Sequence, residues 1–98
     1  MTIFEFDEPP TEHDIRKLLI ANDYLEYQDP DFRGRFGCDL PYSSITLNSA
    51  DTNNAVNYVY ITKNFIEVYY GTICESDLPL YYITVNFKDL KRIEIVNC

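Results

Sequence analysis

The segment from Ala55 to Cys74 constrains this chain more than any other, because it reads as two strands and fixes how they pair. Ala55 to Thr62 and Phe65 to Cys74 are rich in β-branched and aromatic residues, and only Lys63 and Asn64 separate them. A connection that short is a tight hairpin, and asparagine is the common non-glycine residue that accepts positive φ. Setting Thr62 opposite Phe65 places Ile61 against Ile66, Tyr60 against Glu67, Val59 against Val68 and Tyr58 against Tyr69. Val59, Ile61, Ile66 and Val68 then make a core face. Tyr58, Tyr60, Glu67 and Tyr69 make the other face, too polar for a dry core and aromatic enough for a contact surface.

Leu80 to Phe87 continues the pattern, with Ile83, Val85 and Phe87 on the core side and Tyr82, Thr84 and Asn86 beside the tyrosines. Ser44 to Asn48 and Arg92 to Val96 read as further strands, the second at a C-terminal edge after a turn at Lys88 and Asp89. At the other end, Thr2 to Phe6 alternates as a short strand that Pro9 and Pro10 end. Thr11, three residues before Asp14, opens a capping-box-like helix from about Glu12 to Asn22. Its apolar face is Ile15, Leu18, Leu19 and Asn22, leaving Arg16 and Lys17 toward solvent.

From Asp23 to Leu40 the periodicity dissolves around Pro30, Gly34 and Gly37, which reads as a long loop with a short strand at Tyr24 to Tyr27. A loop of that length in a compact domain is either functional or holds unrecognised structure. The economical architecture is α+β: a single small domain over residues 1–98, mainly an antiparallel β-meander sheet of about 4–6 strands with one N-terminal helix packed on one face. Two dispositions of the tyrosine face remain open, exposure to solvent or burial beneath the 23–40 segment as a second small core.

Ninety-eight residues, 46% of them apolar, suffice for a core without metal or disulfides, burying roughly 65% of the unfolded surface. The net charge is −8, and ten of the acids lie in the first 39 residues against four bases. Such a chain is disfavoured for direct nucleic-acid binding, where affinity comes from lysine and arginine displacing counterions, and is attracted to basic protein surfaces. Solubility alone is the competing explanation for the charge. Neither a secretory leader nor a membrane span is legible, and Cys38, Cys74 and Cys98 lack the spacing of a disulfide framework, so a cytoplasmic protein with reduced thiols is expected.

Constellations that carry chemistry are weak. His13, the only histidine, sits in the first helical turn among acids, where a neutral solvated ring is the simpler reading. Cys38, flanked by Gly37 and Asp39, lacks the electropositive setting of a reactive thiol. No Cys and His pairing matches a zinc set, so neither metal nor cofactor is expected, nor an enzyme. The run from Phe32 to Gly37 mixes arginine, aromatic and glycine as single-strand binders do, but Asp29, Asp31 and Asp39 surround it and internal pairing with Arg33 and Arg35 is the stronger expectation.

The reading that follows is an acidic protein inhibitor that neutralises a basic nucleic-acid-handling partner. Its contacts would be Asp7, Glu8, Glu26, Asp29, Asp31, Tyr58, Tyr60, Glu67 and Tyr69, with carboxylates standing in for phosphates. In size, charge and lack of catalytic residues the chain resembles immunity proteins paired with nuclease toxins. As the alternative, it resembles the phage-encoded, anti-CRISPR-like inhibitors of nucleic-acid-guided defence complexes that act by DNA mimicry. A different class is a structural module that self-associates, as a homodimer for example, through its sheet face or the edge at Arg92 to Val96. Glu5, Asp7, Glu8, Asp23 and Glu26 have no structural role legible in the sequence; their convergence beside the tyrosines would favour the inhibitor, their scatter mere solubility.

Overall fold

The computed structural model describes residues 1–50, 54–72 and 78–97, and it is an α+β fold with one helix and two antiparallel sheets. In chain order the elements are β1 (Thr2–Glu5), α1 (Glu12–Ala21), β2 (Tyr24–Glu26), β3 (Arg35–Cys38), β4 (Ser43–Leu47), β5 (Val56–Ile61), β6 (Phe65–Tyr70), β7 (Tyr81–Asn86) and β8 (Arg92–Asn97). Short 3-10 turns occupy Pro30–Phe32 and Phe87–Asp89. The larger sheet has the order β2-β3-β5-β6-β7 and the smaller β1-β8-β4.

Local chemistry sets the helix as expected. The Thr11 hydroxyl accepts from the Asp14 amide and the Asp14 carboxylate accepts from the Thr11 amide, a closed capping box. Those bonds hold the Asp14 carboxyl below its ordinary pKa. Ile15, Leu18 and Leu19 are buried, and Asn22 ends the helix with its side-chain amide donating to the Leu18 carbonyl. Arg16 departs from expectation. It turns toward β2, pairs with Glu26 at 2.8 Å, and lies 5.3 Å from the centroid of the Phe36 ring.

The hairpin register is the expected one throughout: Ile61 faces Ile66, Tyr60 faces Glu67, Val59 faces Val68 and Tyr58 faces Tyr69. Beyond Tyr58 a bulge at Asn57 shifts the ladder, so Val56 opposes Tyr70 and joins the core side. The predicted end of the second strand at Cys74, and the thiols of Cys74 and Cys98, lie outside the described residues.

Two expectations are corrected. The stretch from Asp23 to Leu40 is more than a loop: the short strand expected from Tyr24 is there as β2, and β3, not expected from the sequence, pairs with it and extends the larger sheet, with Phe36 beside Val59 in the core and Arg35 beside Tyr60 on the other side. Gly34, which reads as a breaker, is the bend that makes this possible. Its φ is +81°, and a Cβ there would stand 2.8 Å from the Ile61 carbonyl oxygen. The second correction is β8, expected at an edge and found at the centre of the smaller sheet between β1 and β4. Ile93 and Ile95 are buried there, on the side that faces the common core.

The two sheets enclose one core with the helix alongside, and two buried tyrosines tie them together. Tyr24 of β2 hydrogen-bonds the Ser43 hydroxyl of β4, and the Tyr70 hydroxyl of β6 donates to the Ile45 carbonyl at 2.5 Å. Asn48, at φ 57°, joins β4 to β8 by donating to the Asp89 carbonyl and accepting from the Lys91 and Arg92 amides.

Replacing Tyr70→Phe strips a buried carbonyl of its partner and lowers unfolding free energy by about 1–3 kcal/mol in urea titration. Gly34→Ala forces a side chain into strained backbone and costs at least about 1 kcal/mol by the same measurement.

Candidate functional site

The outer face of the larger sheet is built by alternation alone. Residues that point away from the core are Leu25 on β2, Arg35 and Gly37 on β3, Tyr58 and Tyr60 on β5, Phe65, Glu67 and Tyr69 on β6, and Tyr82 and Thr84 on β7. The backbone of the 23–40 segment does not close over them as a lid, because its two strands have become part of the same sheet; only Tyr27, Phe32 and Arg35 pack against the face from this segment. The face is therefore neither a closed second core nor fully open: Tyr82 is exposed, while Tyr58, Tyr60 and Tyr69 are half-buried by one another and by Arg35.

Two cross-strand rows organise this face. In the first, Tyr58 stacks on Tyr69 at 4.3 Å between centroids and 14° between planes, and Tyr82 tilts onto Tyr69 at 5.1 Å. Tyr27 prolongs the row by lying over Gly37, where a Cβ would come 2.7 Å from its ring. In the second row, the Arg35 guanidinium sits 4.8 Å from the Tyr60 centroid and 5.7 Å from that of Phe32, and Phe65 packs edge-on to Tyr60. Glu67 then joins the rows, accepting from the Tyr69 hydroxyl and, at 2.6 Å, from the Thr84 hydroxyl. Stacking and hydrogen bonding hold these side chains in place before any partner arrives, which lowers the entropy lost on contact.

Burial and the neighbouring Glu67 carboxylate push the Tyr69 phenol well above its ordinary pKa. Burial also raises Tyr27. Glu26 moves down: partial burial works against ionisation, but the Gly34 amide and Arg16 outweigh it.

Of the nine residues that the sequence singled out, Tyr58, Tyr60, Glu67 and Tyr69 lie together on this face. Asp29 and Asp31 flank it, exposed on the 3-10 turn whose Phe32 ring reaches Tyr27 and Arg35. Among the described residues no carboxylate ion pair joins them to Arg33 or Arg35: Asp29 caps the turn by accepting from the Asp31 amide, and Arg35 stacks on rings and donates to the Asp31 backbone carbonyl at 3.4 Å. Asp39 lies apart from Asp29 and Asp31, past the C-terminal end of β3, in a surface groove of about 470 Å³ lined also by Leu25, Tyr27, Gly37, Cys38 and Asn57. Glu26 points inward to Arg16, which gives it the structural role the sequence did not reveal. Asp7 and Glu8 are exposed after β1, on the other sheet, and Glu5 opposes Arg92 there. These acids do not converge beside the tyrosines, so on their own they point to solubility rather than to a binding surface.

The contact residues expected from the sequence left out Tyr27, Phe32, Arg35 and Asp39, the last three because the run around them reads as internally paired. Recognition of β3 would have found Arg35, since its parity matches Tyr60. Cys38 packs against the core, His13 is exposed in the first helical turn, and no hydrogen bond joins them among the described residues. Among the described residues no cluster of three or more His, Cys, Asp or Glu could hold a metal, and no helix is long and apolar enough to cross a membrane.

Both Tyr69 and the buried Tyr24 have phenols raised in the fold, so their contribution to stability is fully present below about pH 10 and is lost as pH rises beyond it. Urea titration across alkaline pH should show this decline, and Glu67→Gln should bring the Tyr69 titration, followed by ring NMR, back toward the ordinary range. Comparison with protein-family models, with curated proteins and with solved structures finds no match for this chain.

Proposed function

We propose that this chain is a non-enzymatic protein inhibitor that binds a basic, nucleic-acid-handling protein through the tyrosine face and blocks its substrate site by occupying it. The observation that carries this reading is the outer face itself: a row of Tyr58, Tyr69 and Tyr82 held in stacked order, with exposed carboxylates at its margin that no ion pair engages among the described residues. Stacked tyrosines supply rigid, amphipathic anchors of the sort that dominate binding energy at interfaces. Asp29, Asp31 and Asp39 supply negative charge where a partner's phosphate-binding lysines and arginines would meet it.

The acids on the smaller sheet do a different job. Asp7 and Glu8, with the rest of the −8 net charge, steer encounter over distance without touching the partner. A nuclease toxin is the partner class that best fits an inhibitor of this size and charge, the chain then serving as its immunity protein.

The test recovers partners of the purified chain by pulldown with mass spectrometry, where recovery of no basic protein would overturn the reading, and measures the basic protein recovered by titration calorimetry for affinity and surface plasmon resonance for rates. Tyr58→Ala and Tyr69→Ala should each raise Kd by about tenfold or more. Asp7→Asn with Glu8→Gln should slow association and leave dissociation nearly unchanged. Raising salt should weaken binding. Affinity indifferent to both tyrosines, or indifferent to salt, would overturn the reading.

A further inference from the structure

We infer that β7 is a self-pairing edge, through which two copies of this chain join their larger sheets into one continuous ten-stranded sheet. Exposed edges invite such pairing, and proteins ordinarily block them with charges, prolines, bulges or covering elements. Among the described residues the four edge strands differ in that respect. β1 carries Glu5, and β2 is three residues long and carries Glu26. β4 is uncharged, but the larger sheet closes over it, with the Tyr70 hydroxyl taking the Ile45 carbonyl. β7, Tyr-Tyr-Ile-Thr-Val-Asn, has six residues with no charge, no proline and no shift in its register with β6. Tyr82 is 58% exposed and Leu80 beside the strand is 55% exposed.

The ladder fixes which groups face outward. The Phe87 amide donates to the Asn64 carbonyl at 2.9 Å, so by antiparallel alternation the odd-numbered residues of β7 serve β6. The amides and carbonyls of Tyr82, Thr84 and Asn86 then point away from the sheet. An antiparallel pairing about a two-fold axis at Thr84 sets Tyr82 of each copy against Asn86 of the other and Thr84 against Thr84, making about six hydrogen bonds. Directly opposed residues share a face, so both tyrosine faces lie on the same side of the joined sheet and Ile83 meets Val85 on the other.

Charge chooses the occupant. A second copy presents the same uncharged strand, so no acid stands directly opposite another; the nearest among the described residues, Glu67, lies one strand in with its carboxylate taken up by the Thr84 and Tyr69 hydroxyls. The opposition is the long-range repulsion of two chains of −8, and salt screens it. Self-pairing therefore strengthens with salt, whereas binding of a basic partner weakens with it, and either proposal can fail without the other.

Sedimentation velocity across protein and salt concentrations tests this. The expected result is a monomer–dimer equilibrium whose dimer fraction rises with salt, with the Tyr82, Thr84 and Asn86 amides protected from hydrogen exchange as dimer forms. Thr84→Pro removes an outward amide without breaking the β6 ladder, and Thr84→Lys sets two like charges on the axis; each should abolish the dimer. Ile3→Lys on β1 should leave it intact. If circular dichroism shows Thr84→Pro unfolded, Thr84→Lys decides. A strict monomer at high micromolar protein and high salt, a dimer that salt weakens, or a folded Thr84 variant that dimerises like the parent would overturn the inference.

Discussion

One ladder register, Val59 against Val68, governs the rest of this molecule. Side chains alternate along a strand, so a slip of a single residue would send Tyr58, Tyr60 and Tyr69 inward and expose Val59, Ile61, Ile66 and Val68. The Lys63–Asn64 turn prevents that slip, and hydrophobic burial of the four aliphatic residues reinforces it. Once the register stands, each tyrosine has an assigned side. Tyr24 and Tyr70 go in, where their hydroxyls find Ser43 and the Ile45 carbonyl on the opposing sheet. Tyr58, Tyr60, Tyr69 and Tyr82 go out, where ring stacking and Glu67 hold them.

The two sets of tyrosines obey the same physics with opposite consequences. An inward phenol must satisfy its hydroxyl within the protein, and both do so on β4, so hydrogen bonds meant for the core also fix how the sheets sit on each other. An outward phenol meets water at no such cost and is free to offer area. The bulge at Asn57 lets one strand serve both purposes, since it returns Val56 to the core side while Tyr58 and Tyr60 stay outside.

What the sequence made legible were the local rules: the hairpin register, the Thr11 capping box, the Ile15, Leu18 and Leu19 face, and the inside and outside of β7. Features that needed neighbours distant in the chain were not legible. β8 shows its buried face in its own alternation, yet nothing in Ile93 and Ile95 says that β1 and β4 lie on either side. Gly34 and Gly37 read as breakers because glycine weakens strands, whereas here one makes the positive-φ bend and the other leaves room for the Tyr27 ring. Arg16 and Glu26 are ten residues apart with a turn between, so their pairing had no helical spacing to announce it. The acids divided for the same reason: Glu26 serves the fold, Asp29 and Asp31 rim the tyrosine face, and Asp7 and Glu8 stand on the other sheet.

The central claim is that the inner and outer tyrosines are distinct populations and that the outer one meets the partner. Hydroxyl-radical footprinting read by mass spectrometry measures this residue by residue. In the free protein Tyr82 should label fastest, Tyr58, Tyr60 and Tyr69 at intermediate rates, and Tyr24 and Tyr70 scarcely at all. Adding the basic partner should protect Tyr58, Tyr60 and Tyr69 and leave Tyr42, exposed beside β4, unchanged. Labelling of Tyr24 and Tyr70 at the rate of the others would contradict the fold account, and unchanged labelling of Tyr58 and Tyr69 in the complex would contradict the functional one.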